Sequence, residues 1–119
     1  MTWADVVAIA KRYPGVEEGT SYGKPALRAS GKAMCRMRTD PDALVMKVID
    51  LGEVEALTRQ DPETFFTTPH YDGYPYVLIH IDAVGREMLE ELVEDAWRLL
   101  SPKRVVAAFD AEAGTPRRA

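Results

Sequence analysis

Cysteine appears once in the 119 residues, at Cys35. An internal disulfide is therefore excluded, and most cysteine-built metal sites with it. Long apolar runs are also missing, since no stretch approaches the roughly 18–20 residues a membrane span requires. Nor is there an excess of base: 15 Lys and Arg stand against 19 Asp and Glu, for a net charge of −4. That balance excludes a globally basic nucleic-acid binder and leaves local patches open. A secretory signal, with its basic, apolar and small-residue succession, is absent after Met1, and a single Cys fits a reducing compartment, so cytoplasmic residence is expected. What is present is 46% hydrophobic content, enough for one modest core in one domain.

Apolar spacing divides the chain. Thr2 with Asp5 three residues on has the pattern of a capping box. Trp3, Val6, Val7, Ala10 and Tyr13 follow at helical spacing until Pro14-Gly15 ends the helix. From Lys24 the period becomes two. Lys24–Ala29 and Ala33–Arg38 flank a turn at Ser30-Gly31-Lys32 and read as a hairpin, and Ala43–Ile49 follows as a third strand after Asp40-Pro41-Asp42. A short helix is expected over Leu51–Gln60 with Asp50 as its cap. Asp61-Pro62-Glu63 then leads to Phe65-Phe66, and Tyr76–Ile81 alternates as a strand. The last long helix runs from about Arg86 to Leu100 on a stripe of Leu89, Leu92, Val93, Ala96, Leu99 and Leu100. Ser101-Pro102 is a further start signal, compatible with a short final helix over Lys103–Phe109. Asp110–Ala119 lacks apolar periodicity and reads as a tail. The expected fold is α+β: a two-layer sandwich of antiparallel sheet, with N- and C-terminal helices packed on one face, in the order α-β-β-β-α-β-β-α over residues 1–109.

Two motifs stand out. Ser21-Tyr22-Gly23-Lys24-Pro25 and Thr68-Pro69-His70-Tyr71-Asp72-Gly73-Tyr74-Pro75, with Asp61-Pro62, Phe65-Phe66, Ala96-Trp97 and Pro102-Lys103 around them, resemble the MmcQ/YjbR family of small bacterial proteins. The resemblance covers about residues 2 to 109. It implies a compact α+β fold of the kind compared with frataxin and secretion chaperones. It also implies DNA binding through a double-wing arrangement, and it supplies no catalytic residue set.

The residues themselves allow two readings of each motif. In the second, Pro69, Gly73 and Pro75 impose an irregular backbone on which His70, Tyr71 and Tyr74 either form a binding loop or clamp the loop to the sheet. The first lacks the spaced glycine and following Ser/Thr of a Walker sequence, so an NTPase is excluded. It reads as a junction into a strand, with Lys24 facing a ligand.

Strand alternation places Lys24 and Arg28 on one face of the first strand, Arg36 and Arg38 on one face of the second, and Lys47 with Val45 and Ile49 on the third. Leu27 and Ala29; Ala33, Cys35 and Met37; and Leu44, Met46 and Val48 form the opposite, helix-covered face. On the last strand Val77, Ile79 and Ile81 turn inward, leaving Tyr76 and His80 outward. Lys24 to Lys47 holds six basic residues against Asp40 and Asp42, whereas the long helix holds Glu87, Glu90, Glu91, Glu94 and Asp95 against two arginines. A molecule with a basic sheet face and an acidic helix layer is expected. The acids read as the solvated back of an amphipathic helix, because no spaced His or Cys set accompanies them. Cys35 falls on the inward face, and neither His70 nor His80 has a partner carboxylate beside it in sequence, so no catalytic constellation assembles.

These observations point to a non-enzymatic binding module, monomeric or weakly dimeric, without metal or cofactor. Its expected partner is nucleic acid, DNA in the first place, bound by Lys24, Arg28, Arg36, Arg38 and Lys47 with His70, Tyr71 and Tyr74 at the loop. A protein-interaction or chaperone-like module, and a small-molecule or anion pocket at the loop, are the alternatives.

Overall fold

Helix α1 (Trp3–Ala10) begins as its first residues require. The Thr2 hydroxyl accepts from the Asp5 N–H, and the Asp5 carboxylate accepts in return from the Thr2 N–H at 2.8 Å. These bonds hold the Asp5 carboxyl below its ordinary value. In this computed structural model, which describes residues 1–113, the chain continues as β1 (Val16–Ser21), β2 (Lys24–Ala29), β3 (Lys32–Arg38), β4 (Ala43–Lys47), α2 (Leu51–Gln60), β5 (Phe65–Phe66), a 3₁₀ turn (Pro69–Tyr71), β6 (Tyr76–Ile79), α3 (Arg86–Leu100) and α4 (Lys103–Ala113). The strands form one antiparallel sheet in the order β1-β2-β3-β4-β6-β5. One face is covered by helices, and the fold is a two-layer α+β sandwich.

Two tight hairpins build the sheet's first half. The turn Tyr22-Gly23 joins β1 to β2 and Ser30-Gly31 joins β2 to β3, with φ of +52° and +74° in the first and +51° and +79° in the second. Positive φ at both central residues is the type I′ pattern, whose twist matches that of the strands, and glycine fills the second position in each. Strand β1 has no counterpart in the sequence reading. Glu17, Glu18, Gly19 and Thr20 show no apolar alternation, because this is an edge strand with only Val16 buried. Pro25 sits inside β2 without disrupting it. It lies at a non-hydrogen-bonded position opposite Thr20, one residue before pairing with β3 begins at Ala26.

The alternation of inward residues holds on β2, β4 and β6 and fails at one point on β3. Leu27 pairs with Cys35 but Arg28 pairs with Ala33, so Met34 is an extra residue at a bulge. Met34 and Cys35 are both buried in the core, whereas Ala33, expected inward, is exposed. One inserted residue shifts the two-residue period by half a cycle, and residues before it change face.

The core centres on Trp97 of α3, which is fully buried between Tyr13 and Phe109. Its indole Nε1 donates to the Pro14 carbonyl at 2.8 Å, tying α3 to the end of α1. Helix α4 extends past the tail boundary expected at Asp110. Arg98, whose side chain is 5% exposed, donates two hydrogen bonds to Asp110 at 2.8 and 2.9 Å and a third to Glu94. The Asp110 bonds first, then those to Glu94, hold this guanidinium above even its high ordinary value. The rest of the expected tail, 114–119, lies outside the described residues.

Candidate anion-binding face

The face away from the helices carries a second, smaller apolar cluster. Register lines up Gly19, Ala26, Arg36, Val45, Leu78 and Phe66 across all six strands. Val45 and Leu78 are buried here with Ala43, beneath Tyr71, with Phe66 and Tyr76 packed at the margin. The 3₁₀ turn brings Tyr71 down onto the sheet. Its N–H bonds the Thr68 carbonyl, and Tyr74 N–H bonds the Tyr71 carbonyl. This face is therefore not an open platform: a loop covers its middle.

Cations ring that cover. Arg36 donates to the Tyr71 hydroxyl, and its guanidinium carbon lies 5.1 Å from the centre of the Tyr22 ring and 5.8 Å from that of Tyr71. Arg38 sits 5.9 Å from the Tyr71 ring, and the Lys47 ammonium 5.3 Å from the ring of Tyr76. These contacts set each cation beside an aromatic ring, Arg36 at the hydroxyl edge of Tyr71, while leaving donors unused. Arg28 lies across β1, donating to the Thr20 carbonyl at 3.2 Å. Glycine at 19 gives it room, since a β-carbon there would stand 2.9 Å from the Arg28 Nη1 and the guanidinium would have to shift. Lys24 lies half-buried at the start of β2 on the same face.

Among the described residues, no carboxylate forms an ion pair with Lys24, Arg28, Arg36, Arg38 or Lys47. The ion pairs found there join Arg12 to Glu90, Arg59 to Glu55, Arg86 to Asp5, and Arg98 to Glu94 and Asp110. Two α3 carboxylates, Glu90 and Glu94, are thus engaged within the helix layer, while on the outer face Glu17 stands opposite Arg28 in the register without forming an ion pair.

Between the Tyr22 turn and the Tyr71 loop lies a cavity of about 290 Å³. Tyr22, His70, Tyr71 and Tyr76 wall it, Ala26, Ala33 and Val45 line its base, and Ser21, Arg28 and Arg36 supply polar groups. It exists because the positions between the aromatic walls are small. Of the eight residues singled out from sequence, Arg28, Arg36, His70 and Tyr71 meet around this cavity. Arg38 and Lys47 flank it on Tyr71 and Tyr76, and Lys24 lies beside it on β2. Tyr74 does not join them: it is 60% exposed and away from the cavity. His70 is exposed and edge-on to Tyr71 at 4.9 Å, so it meets solvent and not buried backbone. Sequence reasoning missed Tyr22 and Tyr76 as cavity walls. The available signal was Tyr22 itself, a large aromatic in a two-residue turn where Asn or Asp is the usual choice.

Cys35 also borders the cavity, from the core side. Burial pushes its thiol up to about 12, so at neutral pH it is neutral and a poor nucleophile. No group of three or more His, Cys, Asp or Glu is placed to hold a metal ion among the described residues. No helix there is long and apolar enough to cross a membrane.

The YjbR family model matches residues 11–99. The uncharacterised proteins Rv2570 of Mycobacterium tuberculosis and Mb2600 of Mycobacterium bovis are each 33% identical to this chain over 127 aligned positions, covering 95% of it and 98% of their own length. The crystal structure of Deinococcus radiodurans protein DR2400, a domain described as DUF419, superposes with a TM-score of 0.70 at 22% identity, over 97% of this chain and 89% of that one. That likeness shows the same fold. With most of the chain matched by both the family model and these relatives, the chain belongs to the YjbR family.

Proposed function

We propose that the protein is a nucleic-acid-binding module that uses the outer face of its sheet. One observation carries this reading: five cations share that face, and none has a carboxylate partner among the described residues. Arg36 and Arg38 are oriented by Tyr71, and Lys47 by Tyr76, so part of the entropic cost of fixing long side chains is met before a polyanion arrives. A phosphate backbone presents a row of anions to such a face, and binding releases counterions. Arg36, Arg38, Lys24 and Lys47 take the phosphate contacts. Arg28, held by the Thr20 carbonyl, contributes mainly its charge. A reducing, cytoplasmic setting fits a chain whose one Cys is a buried thiol.

A second reading is favoured by the cavity. At about 290 Å³ it falls at the small end of ligand sites, so a small anion could be the whole ligand. Salt titration separates the two. A polyanion bridging several cations gives an affinity whose logarithm falls with log salt by about 0.7 to 0.9 per phosphate contacted. The expected slope corresponds to three or four contacts, and Arg36→Ala with Arg38→Ala should lower it by about two while weakening binding at least tenfold. Absence of binding to both duplex and single-stranded oligonucleotides at low salt would sink the proposal.

A further inference from the structure

Tyr22 combines three features that the fold alone does not require. It occupies the first central position of a type I′ turn at φ +52°, a backbone conformation bulky L-residues rarely adopt and Asn, Asp or Gly adopt easily. Its ring is 87% exposed. And it stands at the mouth of the outer-face cavity, with the Arg36 guanidinium on one side of its ring. The sister turn, with the same geometry, uses Ser30. A strained, exposed aromatic retained beside a cavity is an outlier from which a role in binding follows.

From this we infer that the mouth of the cavity receives a single unpaired base of a nucleic-acid strand, stacked on the Tyr22 ring, and that the chain prefers single strands to duplex. This rests on the nucleic-acid reading above and adds the ligand group that the phosphate contacts do not specify. The cavity's walls are the rings of Tyr22, Tyr71, Tyr76 and His70, and its base is the short side chains of Ala26 and Ala33. Such a slot takes a flat, weakly polar ring. Its small volume suits one base and not a stacked run. In a duplex the faces of each base are covered by its neighbours, whereas in a single strand they are available for aromatic stacking. Arg36 reaches both Tyr22 and Tyr71, which puts a cation at the cavity rim where the phosphate of an inserted nucleotide would lie.

The test uses the full chain and fluorescence anisotropy at low salt with four probes: a thymidine oligonucleotide of about 12 residues, an abasic strand of the same length and charge, a duplex of that length, and free thymidine monophosphate. The thymidine strand should bind about 10-fold tighter than the abasic strand and tighter than the duplex. Tyr22→Asn should erase the preference over the abasic strand, lowering affinity for the thymidine strand by about 10-fold and for the abasic strand by no more than about twofold. Because Asn-Gly suits this turn, the variant's melting temperature should stay level or rise. Tyr22→Phe should retain the preference. The inference fails, with the phosphate reading intact, if the thymidine strand has no advantage over the abasic strand or the duplex, or if Tyr22→Asn keeps the preference. If thymidine monophosphate binds as tightly as the strand, both fail in favour of a small ligand held in the cavity. Absence of binding to all the polymers removes both readings.

Discussion

The two faces of the sheet come from the same strands and differ in what covers them. On the helix side, α1, α3 and α4 bring Val6, Ile9, Leu89, Val93, Trp97 and Phe109 into one cluster with Leu27, Cys35, Met46 and Ile79. On the outer side one loop brings Tyr71 onto Ala43, Val45 and Leu78. A single ring cannot shield the width of six strands. The remaining surface is a rim, and the rim carries the cations. A helix layer buries enough apolar area to dominate stability, at about 25 cal/mol per Å². A one-residue cover leaves long side chains beside aromatic rings, where charge is oriented without being neutralised. The helix face is thus built for folding and the outer face for holding charge in place.

That contrast can be broken experimentally. The largest effect should come from the helix side: Trp97→Ala removes the core's central ring and its bond to Pro14, with an expected loss of about 3–5 kcal/mol in urea denaturation. Tyr71→Phe on the outer side should cost only about 1 kcal/mol, since it deletes the hydroxyl that accepts from Arg36 and keeps the ring. It should also weaken oligonucleotide binding several-fold by releasing Arg36. If Tyr71→Phe proved as destabilising as Trp97→Ala, the division of labour would be wrong. Gly19→Ala is subtler, because it removes no charge and pushes the Arg28 guanidinium off β1. A two- to threefold change in affinity, read by anisotropy, is the expected scale for one misplaced exposed cation.

An effect confined to alkaline pH lies between the faces, at Cys35. Its folded thiol keeps its proton up to about 12, whereas in the unfolded chain it ionises near about 8.5. Its contribution to stability is therefore full below about pH 8.5 and declines as pH rises from there towards 12. Denaturation midpoints measured between pH 8 and 10.5 should fall more steeply for the native chain than for Cys35→Ala. Equal slopes would place the thiol in contact with solvent.

Much of this molecule is legible from residue order. The Thr2 and Asp50 caps both form, with Asp50 accepting from the Glu53 N–H at 2.9 Å. The apolar stripe of α3 faces the sheet at Leu89, Leu92, Val93, Ala96 and Leu100, whereas Leu99, expected in the same stripe, lies on the exposed side of the helix. Arg28, Arg36, Arg38 and Lys47 reach the outer face because a two-residue period admits no other arrangement once the apolar set is buried. The exceptions have local causes. Strand β1 lacks the alternation that marks a strand because an edge with one buried residue does not need it. Ala33 changes face because a bulge inserts one residue. Arg98 and Asp110 meet across the Ser101-Pro102 corner, a contact fixed by how α4 folds back and not by either helix's own pattern.

Tyr22, Tyr71 and Tyr74 show most plainly where sequence stops. All three are tyrosines in motifs rich in Gly and Pro, yet one is a buried clamp, one a strained wall at a cavity mouth and one a solvent-facing ring. Sequence by itself determined the helices, their caps and the buried faces of β2, β4 and β6, because these follow from local periodicity and short-range hydrogen bonds. Only the tertiary structure decided which aromatics meet which cations and that a cavity opens between them. Those outcomes depend on how segments distant in the chain meet, as Tyr22 and Tyr71 do, and on one bulge and one small-residue row that no local pattern announces.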